Sequence, residues 1–153
     1  MGKVFFARQN TYDQPEIDSA VKRVFDRFGG ISQFVKAGER VLLKVNLVSG
    51  HDVTRRVTTD PSIVRAVARM VLDAGGVPFI ADSPGIDSFQ RAAEKAGFVQ
   101  VAQELGIECR ELTDPVELPH DDKAQFHRIS VSKYVLEADQ VISLAKLKTH
   151  GQM

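Results

Sequence analysis

The sequence predicts an α/β fold, a mostly parallel open sheet with helices on both faces. Three short apolar runs, residues 41–45, 77–81 and 140–145, are rich in branched and aromatic side chains, as the buried strands of parallel sheets are. A helical pattern follows each of the first two runs, and the strand–helix unit recurs at about the 35-residue spacing that parallel crossovers need. At 153 residues with 43% hydrophobic content, we expect one domain, 1–153, around one core.

The individual elements follow from local signals. Asp60 and Pro61 suit the N-cap and the first position of a helix that runs to a glycine pair. Asp87 and Gln90 resemble a capping box for the next helix. The other predicted elements are strands at 3–8, 108–112 and 127–131, the last of which can be an outer antiparallel strand, helices at 17–28, 99–105 and 132–138, and a connection at 114–119.

Composition and charge exclude several classes of function. Lysine plus arginine and aspartate plus glutamate both number 20, so the formal net charge is +0 and no overall field favours nucleic acid or an anionic membrane. The single cysteine, Cys109, excludes an intramolecular disulfide and a multi-cysteine metal cage within this chain. No apolar run approaches the roughly 20 residues of a membrane helix, and the N-terminus lacks a secretory signal. We therefore expect a cytoplasmic location.

Polar side chains follow three of the predicted strands at the point where each strand ends. The carboxyl ends of parallel strands share one edge of the sheet, and the ligands of open α/β folds bind at that edge. We therefore expect these side chains to converge on a site for a small anionic ligand. They are Lys44 and Asn46 after the second strand, Asp82 and Ser83 after the third, and Lys146, Lys148 and His150 after the last.

The turn at residues 82–85 is a candidate phosphate or carboxylate site. Gly85 permits close backbone approach, Ser83 offers a hydroxyl, and a helix that follows directly would point its N–H donors at the turn. The turn is neither a P-loop nor a dinucleotide fingerprint, so an ordinary strand-to-helix turn is the alternative. Lys44 also has two interpretations, a ligand contact or an ion pair with Asp82 on a neighbouring strand.

The last polar group consists of Lys146, Lys148 and His150, which are spaced two positions apart. Side chains at this spacing lie on one face of an extended chain, so all three would project to the same side. Two ammonium groups and an imidazole suit an anionic substrate, and crowded lysines lose pKa and can act as bases. His150 and Lys148 are therefore the candidate catalytic residues. The alternative is a solvated basic tail beyond the sheet.

A long polar connection, residues 46–60, joins the second strand to the following helix. Connections of this length within compact domains are often functional. This one can form a lid whose arginines clamp an anion, or it can be a solvated loop. Its histidine has no spacing typical of metal ligands, so we assign no metal ligand and leave the cofactor open. The candidate residues of the connection are His51, Asp52, Arg55, Arg56, Thr58 and Thr59.

Several segments together resemble the prokaryotic family known as domain of unknown function 362. They occur in the family's order and span nearly the whole chain: 41–48 (VLLKVNLV), 58–61 (TTDP), 73–76 (DAGG) with 80–85 (IADSPG), and 141–150 (VISLAKLKTH). The family is distantly similar to the lactate racemases, whose enzymes use a nickel pincer nucleotide. The positions that match the family's polar residues are Lys44, Asn46, Thr58, Thr59, Asp82, Ser83, Lys146, Lys148 and His150.

The resemblance supplies no reaction, and this chain departs from the family pattern in two ways. The pattern continues past its Lys-x-Lys-x-His motif with a block containing Lys-Asn and Gly, whereas this chain stops at Met153. We therefore expect a truncated domain, the N-terminal portion of a longer protein. Many members also carry a ferredoxin-like segment beyond this domain, and the cysteines of such a segment are absent here.

Two hypotheses of function follow. In the first, the chain is part of an α/β enzyme domain that binds a small anionic or nucleotide-like ligand. The lysines at positions 44, 146 and 148 hold the negative charge, Asp82 and Asn46 orient it, and His150 is the acid or base. In the second, the chain is a noncatalytic scaffold or electron-transfer module whose iron–sulfur centre lies outside it. An unsatisfied sheet edge would also allow pairing with another copy in a homo-oligomer.

Overall fold

The computed structural model describes residues 2–119, 125–126 and 128–148, which form the predicted α/β fold. The strands are β1 Arg40–Val45, β2 Val77–Asp82, β3 Glu108–Glu111, β4 Pro115–Glu117, β5 Ser130–Ser132 and β6 Gln140–Leu144. The helices are α1 Gln14–Asp26, α2 Pro61–Asp73, α3 Phe89–Lys95, α4 Phe98–Leu105 and α5 Lys133–Leu136. Four parallel strands make the main sheet in the order β3-β2-β1-β6, and β4 and β5 form a separate antiparallel pair.

One face of the main sheet carries the larger core. Val41, Leu43 and Val45 are buried on this face and pack with apolar residues of α2, α3 and α4, while α1 contacts α2. The opposite face carries a smaller cluster, in which Leu42 and Phe79 pack against residues in the short helix α5 and against residues outside it. Helices therefore lie on both faces, as predicted. Lys44 is two residues after Leu42 on this thinly covered face, and its side chain is 41% exposed.

The helix α2 forms where its end signals predict. The carboxylate of Asp60 accepts a hydrogen bond from the N–H of Ser62 at 3.0 Å, and proline occupies the first turn. At the other end, a Cβ on Gly76 would lie 2.7 Å from Val35 Cγ1, so only glycine fits between the helix and that side chain. None of the helices in the described part of the chain is long and apolar enough to cross a membrane.

The predicted first strand at residues 3–8 is wrong. These residues have no regular secondary structure and pair with no strand in the described part of the chain. Val4 is 77% exposed and Phe6 is 87% exposed, so the alternating apolar side chains do not enter the core. A strand needs a partner elsewhere in the chain, and the local pattern does not show whether one exists.

Two further local predictions need correction. The predicted capping box at Asp87 is wrong, because α3 begins at Phe89 with Ser88 as its N-cap, and the Asp87 carboxylate instead accepts a hydrogen bond from the N–H of Gly50 at 2.6 Å. The predicted connection at 114–119 contains β4, which pairs antiparallel with β5. The antiparallel strand predicted at 127–131 is thus present from Ser130 but joins β4 rather than the main sheet.

Candidate functional site

The strand order changes direction at the pair β1–β6. From β1 the chain proceeds to β2 and then β3 on one side, whereas β6 lies on the other side of β1. In open α/β sheets, the crevice outside the carboxyl ends of the strands at such a change of direction is where ligands bind. In this protein Asn46 follows β1 at that edge, and Ala145 and Lys146 follow β6.

Thr59 joins these two strand ends. Its hydroxyl donates to the backbone carbonyl of Leu144 at 2.5 Å and accepts from the N–H of Asn46 at 2.9 Å. Its own N–H donates to the carbonyl of Asn46 at 3.2 Å. Thr59 and its neighbour Thr58 are each only 2% exposed, so the end of the 46–60 connection is packed into the fold. The other candidate residues of the connection are exposed, as the solvated-loop alternative predicted: His51, Asp52, Arg55 and Arg56.

Lys44 and Asp82 form the ion pair that the sequence offered as one interpretation of Lys44. The ammonium lies 2.6 Å from Asp82 Oδ1 and also donates to the carbonyl of Val45 at 3.1 Å. The other oxygen, Asp82 Oδ2, accepts from the N–H of Leu47 at 2.6 Å. The Asp82 side chain is 9% exposed, so both of its oxygens are satisfied inside the protein.

Lys146 and Arg56 both approach the ring of Tyr12. The Lys146 ammonium donates to the Tyr12 hydroxyl at 3.0 Å, and it lies 5.3 Å from the centre of the ring. The Arg56 guanidinium carbon lies at the same distance of 5.3 Å from that ring. Two cations therefore meet one half-buried aromatic side chain, Lys146 at its hydroxyl and Arg56 at its ring, whose negative face attracts a cation.

Lys148 takes a different partner from Lys146. Its ammonium donates to the backbone carbonyl of Val57 at 2.9 Å, next to Arg56 in the chain. The strand β6 ends at Leu144, so both lysines lie beyond the paired strand, and their predicted common face with His150 stays a prediction. His150 itself lies outside the described residues.

The candidate edge is therefore positively charged. Asp82 neutralises Lys44, whereas Lys146, Lys148 and Arg56 contact neutral groups and form no ion pair within the part of the chain that the structure describes. Of the acidic side chains in the connection, Asp60 caps α2 and Asp52 caps the turn at Val53–Arg55. The N–H of Thr54 bonded to that carboxylate lowers the pKa of Asp52, so it stays ionised and exposed.

Asn46 presents an unsatisfied polar atom at the same edge. Its Oδ1 is buried and has no hydrogen-bond partner in the described part of the structure, although its backbone N–H and carbonyl both pair with Thr59. Buried polar atoms of folded proteins nearly always have a partner, so an acceptor left in this way is typical of a site that receives a further group.

The turn after β2 contributes less than the sequence suggested. Ser83 and Gly85 are exposed, and a Cβ on Gly85 would meet no atom within 4 Å. The helix α3 begins only at Phe89, four residues after Gly85, and it is seven residues long. Its N-terminal donors therefore do not adjoin the turn, and Asp82 is the residue of this turn that belongs to the cluster at the sheet edge.

The structure thus brings together most of the predicted residues and adds one that was missed. Thr59, Asn46, Lys146 and the pair Lys44–Asp82 occupy the carboxyl edge, as the strand-end argument predicted. The residue that sequence reasoning missed is Tyr12, which reaches the edge from a segment before α1. No local pattern distinguishes this tyrosine, since its contact with Lys146 joins residues 134 positions apart.

No cluster of three or more histidine, cysteine, aspartate and glutamate side chains suited to a metal ion occurs within residues 2–119, 125–126 and 128–148. An iron–sulfur cluster does not fit the residues of this chain, because Cys109 is its single cysteine and packs against the core. Burial, followed by the neighbouring Glu108 carboxylate, raises the pKa of the Cys109 thiol to about 11.

The fold and the sheet edge together define an α/β domain with a cation cluster at the carboxyl ends of its parallel strands. The chain belongs to the family described as Domain of unknown function (DUF362), whose model matches residues 41–153. This match confirms the family resemblance, and it includes all of the predicted site residues. Tyr12 lies before the matched region.

A thylakoid-associated protein of Synechocystis sp. strain PCC 6803 is similar to this chain. The two are 37% identical over 150 residues, which make up 98% of this chain and 46% of the relative. The chain therefore spans less than half the length of that curated relative. Because the alignment covers 98% of this chain, it includes the region around Tyr12. No solved structure matches this chain significantly.

Proposed function

We propose that this chain forms the binding site for a small anionic ligand within an α/β enzyme domain. The observation that supports the proposal is the cluster of Lys146, Lys148 and Arg56, three cations with neutral partners at the edge where α/β folds bind ligands. Like charges repel one another, and a bound anion would relieve that repulsion.

The residues of the edge divide into two roles in this proposal. Lys146, Lys148 and Arg56 hold the negative charge of the ligand. Lys44, already fixed by Asp82, supplies a donor of defined position, because its ammonium has a third hydrogen beyond those given to Asp82 and Val45. Asn46 orients the ligand through its side-chain amide, whose N–H₂ group can donate to an anion. His150 remains the proposed acid or base.

The strand arrangement gives the proposed site a rigid base. Asn46 and Lys146 follow the neighbouring strands β1 and β6, and the bonds of Thr59 to both strand ends fix the spacing between them. Sites held on strands and helices keep their geometry better than sites held on loops alone. The cations, in contrast, are on long side chains that can adjust to a ligand.

Native mass spectrometry and elemental analysis of the protein purified without oxygen test the proposal. We expect a bound small molecule that is lost in Lys146→Ala and in Lys148→Ala. The matched control is Lys22→Ala, which removes an equal charge from the exposed pair with Asp26 on α1. All variants should retain the circular dichroism spectrum of the parent.

Two outcomes contradict the proposal. One is a protein that carries no adduct and binds no added anion in a lysine-dependent manner. The other is a full-length gene product that retains iron and sulfide regardless of the lysine substitutions, which would favour the electron-transfer module instead. The proposed similarity to the lactate racemases would gain support only from retained nickel.

A further inference from the structure

The three cations at the sheet edge form no ion pair among the described residues, and together they carry more charge than a single carboxylate neutralises. Lys146 contacts a hydroxyl, Arg56 contacts the face of a ring, and Lys148 contacts a backbone carbonyl. Asp82 is the carboxylate of the edge, and Lys44 already pairs with it. A monocarboxylate would leave about two positive charges in this cluster uncompensated.

Position favours a compact anion over an extended one. Lys146 and Arg56 each lie 5.3 Å from the centre of the same tyrosine ring, so both cations are held around one side chain. Lys148 is bonded to the residue that follows Arg56 and is therefore held close to it. A phosphoryl group concentrates a charge of about −1.5 to −2 on three acceptor oxygens, which suits three cations held around Tyr12 and Val57.

Tyr12 adds a neutral donor to the same place. Its oxygen accepts a hydrogen bond from Lys146, and its own O–H has no acceptor within the residues that the structure describes. A phosphoryl oxygen next to Lys146 would accept that hydrogen without breaking the existing bond. Tyr12 would then contact the ligand directly.

The helix α2 is not the source of the anion affinity, although its N-terminus faces the same edge. Pro61 has no N–H, and the Asp60 carboxylate occupies the N–H and the hydroxyl of Ser62. This carboxylate also offsets the positive end of the helix dipole. The side-chain cations therefore carry the recognition.

We propose that the ligand of this site carries a phosphoryl group, which is bound by Lys146, Arg56 and Lys148 with the Tyr12 hydroxyl as an additional donor. This inference rests on the proposed function and deepens it. It names the chemical class of the ligand and assigns Tyr12, which no sequence pattern identified, as a ligand contact.

Isothermal titration calorimetry at pH 8 and low salt tests the inference with inorganic phosphate, glycerol 3-phosphate and malonate. All three are mainly dianions at this pH, because the second pKa of a phosphate group is about 6 or 7. Malonate therefore matches the charge but divides it between two carboxylates. We expect both phosphates to bind at least about 10-fold more tightly than malonate. Tighter binding of glycerol 3-phosphate than of inorganic phosphate would identify an ester as the natural form.

Four variants locate the binding. We expect Lys146→Ala and Arg56→Ala to weaken phosphate binding by about 10-fold or more and Tyr12→Phe by about 3- to 10-fold, with unchanged melting temperatures. Lys22→Ala should leave binding unchanged. Tyr12→Phe keeps the ring and its contact with Arg56 but removes the hydroxyl, so its effect reports on that donor together with its hydrogen bond from Lys146.

The outcomes separate this inference from the proposed function. Lysine-dependent binding of malonate without binding of either phosphate would overturn the phosphoryl assignment and leave the anion site intact. Absence of binding for all three anions would overturn both proposals. Phosphate binding that is indifferent to Lys146 and Arg56 would overturn the assignment of this cluster.

Discussion

The hydroxyl of Thr59 donates a hydrogen bond to the backbone carbonyl of Leu144 at 2.5 Å, joining the connection after β1 to the end of β6. The same oxygen accepts from the N–H of Asn46, so one side chain fixes both strand ends at the point where the sheet order changes direction. The candidate ligand residues Asn46 and Lys146 flank this bridge. Their relative position therefore depends on a buried threonine that no ligand needs to touch.

Replacement of this hydroxyl should destabilise the fold measurably. We expect Thr59→Val to lower the free energy of unfolding by about 2–3 kcal/mol, because it leaves the carbonyl of Leu144 and the N–H of Asn46 without their buried partner. Thr59→Ser keeps the hydroxyl and should cost only about 1 kcal/mol for the lost methyl group. Urea unfolding measures both. A loss in Thr59→Ser but none in Thr59→Val would show that packing of the methyl group, which valine retains, and not the hydrogen bonds, is what matters.

The partly buried pair of Lys44 and Asp82 should contribute more to the free energy of unfolding than a fully exposed pair does. Asp82→Asn keeps the shape but loses the charge facing Lys44 and turns an amide N–H₂ toward either Lys44 or the N–H of Leu47. We expect a loss of about 2 kcal/mol in the free energy of unfolding, since each bond involves a charged group.

Asp26→Asn is the matched control for Asp82→Asn. Asp26 pairs with Lys22 on the exposed surface of α1, and such pairs are worth no more than about 0.5 kcal/mol. Thermal and urea unfolding of the two variants side by side give the comparison. A similar small effect in both would mean that the Asp82 pair is solvated in solution.

The central sheet was predictable because its signals are local. The strands β1 and β2 are short apolar runs between glycines, and Asp60 with Pro61 marks the start of α2 without reference to any distant residue. The segment at 3–8 contains a similar apolar run, but Val4 and Phe6 are exposed, since the strand partner that the pattern requires is missing from the described residues. The capping-box prediction at Asp87 failed for a similar reason. Its carboxylate accepts a hydrogen bond from the distant N–H of Gly50, whereas the pattern assigned that carboxylate to the start of a helix.

The candidate site was predictable to the extent that it follows from strand ends. Lys44, Asn46, Asp82 and Lys146 lie at the carboxyl edge because parallel strands place their ends together, a rule that needs no structure. The partners that these residues choose were not predictable in the same way. Tyr12 reaches Lys146 across most of the chain, and the aromatic contact of Arg56 depends on the path of a segment without regular structure.

Lys148 should affect binding without affecting stability. Its side chain is exposed and bonded to one backbone carbonyl, so we expect Lys148→Ala to change the free energy of unfolding by less than about 0.5 kcal/mol while weakening anion binding. Val67→Ala is the contrasting variant. Val67 is 2% exposed in the core, and its truncation should cost about 2 kcal/mol with binding retained. A melting-temperature drop in Lys148→Ala as large as that of Val67→Ala, with unchanged binding, would show that Lys148 is structural.

The N-caps of α2 and α3 allow the stability contribution of a capping hydrogen bond to be measured, because one cap makes this bond and the other does not. Asp60 accepts from the N–H of Ser62, so Asp60→Ala should cost about 1 kcal/mol. Ser88 holds the equivalent position before α3 but makes no side-chain cap hydrogen bond, and Ser88→Ala should stay within about 0.5 kcal/mol. Chemical denaturation resolves this difference. A larger loss at Ser88 would mean that its hydroxyl caps α3 in solution.

We expect Cys109 to react slowly with thiol reagents because of its raised pKa, and the pH dependence of the reaction rate tests this. Its pKa is raised to about 11, first by burial and then by the Glu108 carboxylate, so the reactive thiolate is scarce at neutral pH. We expect alkylation by iodoacetamide at pH 8 to be at least about 100-fold slower than for a free thiol of pKa about 8.5. The rate should rise about tenfold per pH unit toward pH 11.

The same raised pKa of Cys109 makes stability fall with alkali. The unfolded chain releases the thiol proton near its ordinary pKa, whereas the native chain keeps it until about pH 11, so the unfolded state gains stability over the interval between them. Below that interval the thiol is neutral in both states and this contribution is fully present. Urea unfolding at pH 8 and pH 10, compared between the parent and Cys109→Ala, isolates it: the parent should lose more stability than the variant. Equal losses, together with alkylation at pH 8 as fast as that of a free thiol, would show that Cys109 is solvent-accessible and that its thiol titrates at its ordinary pKa.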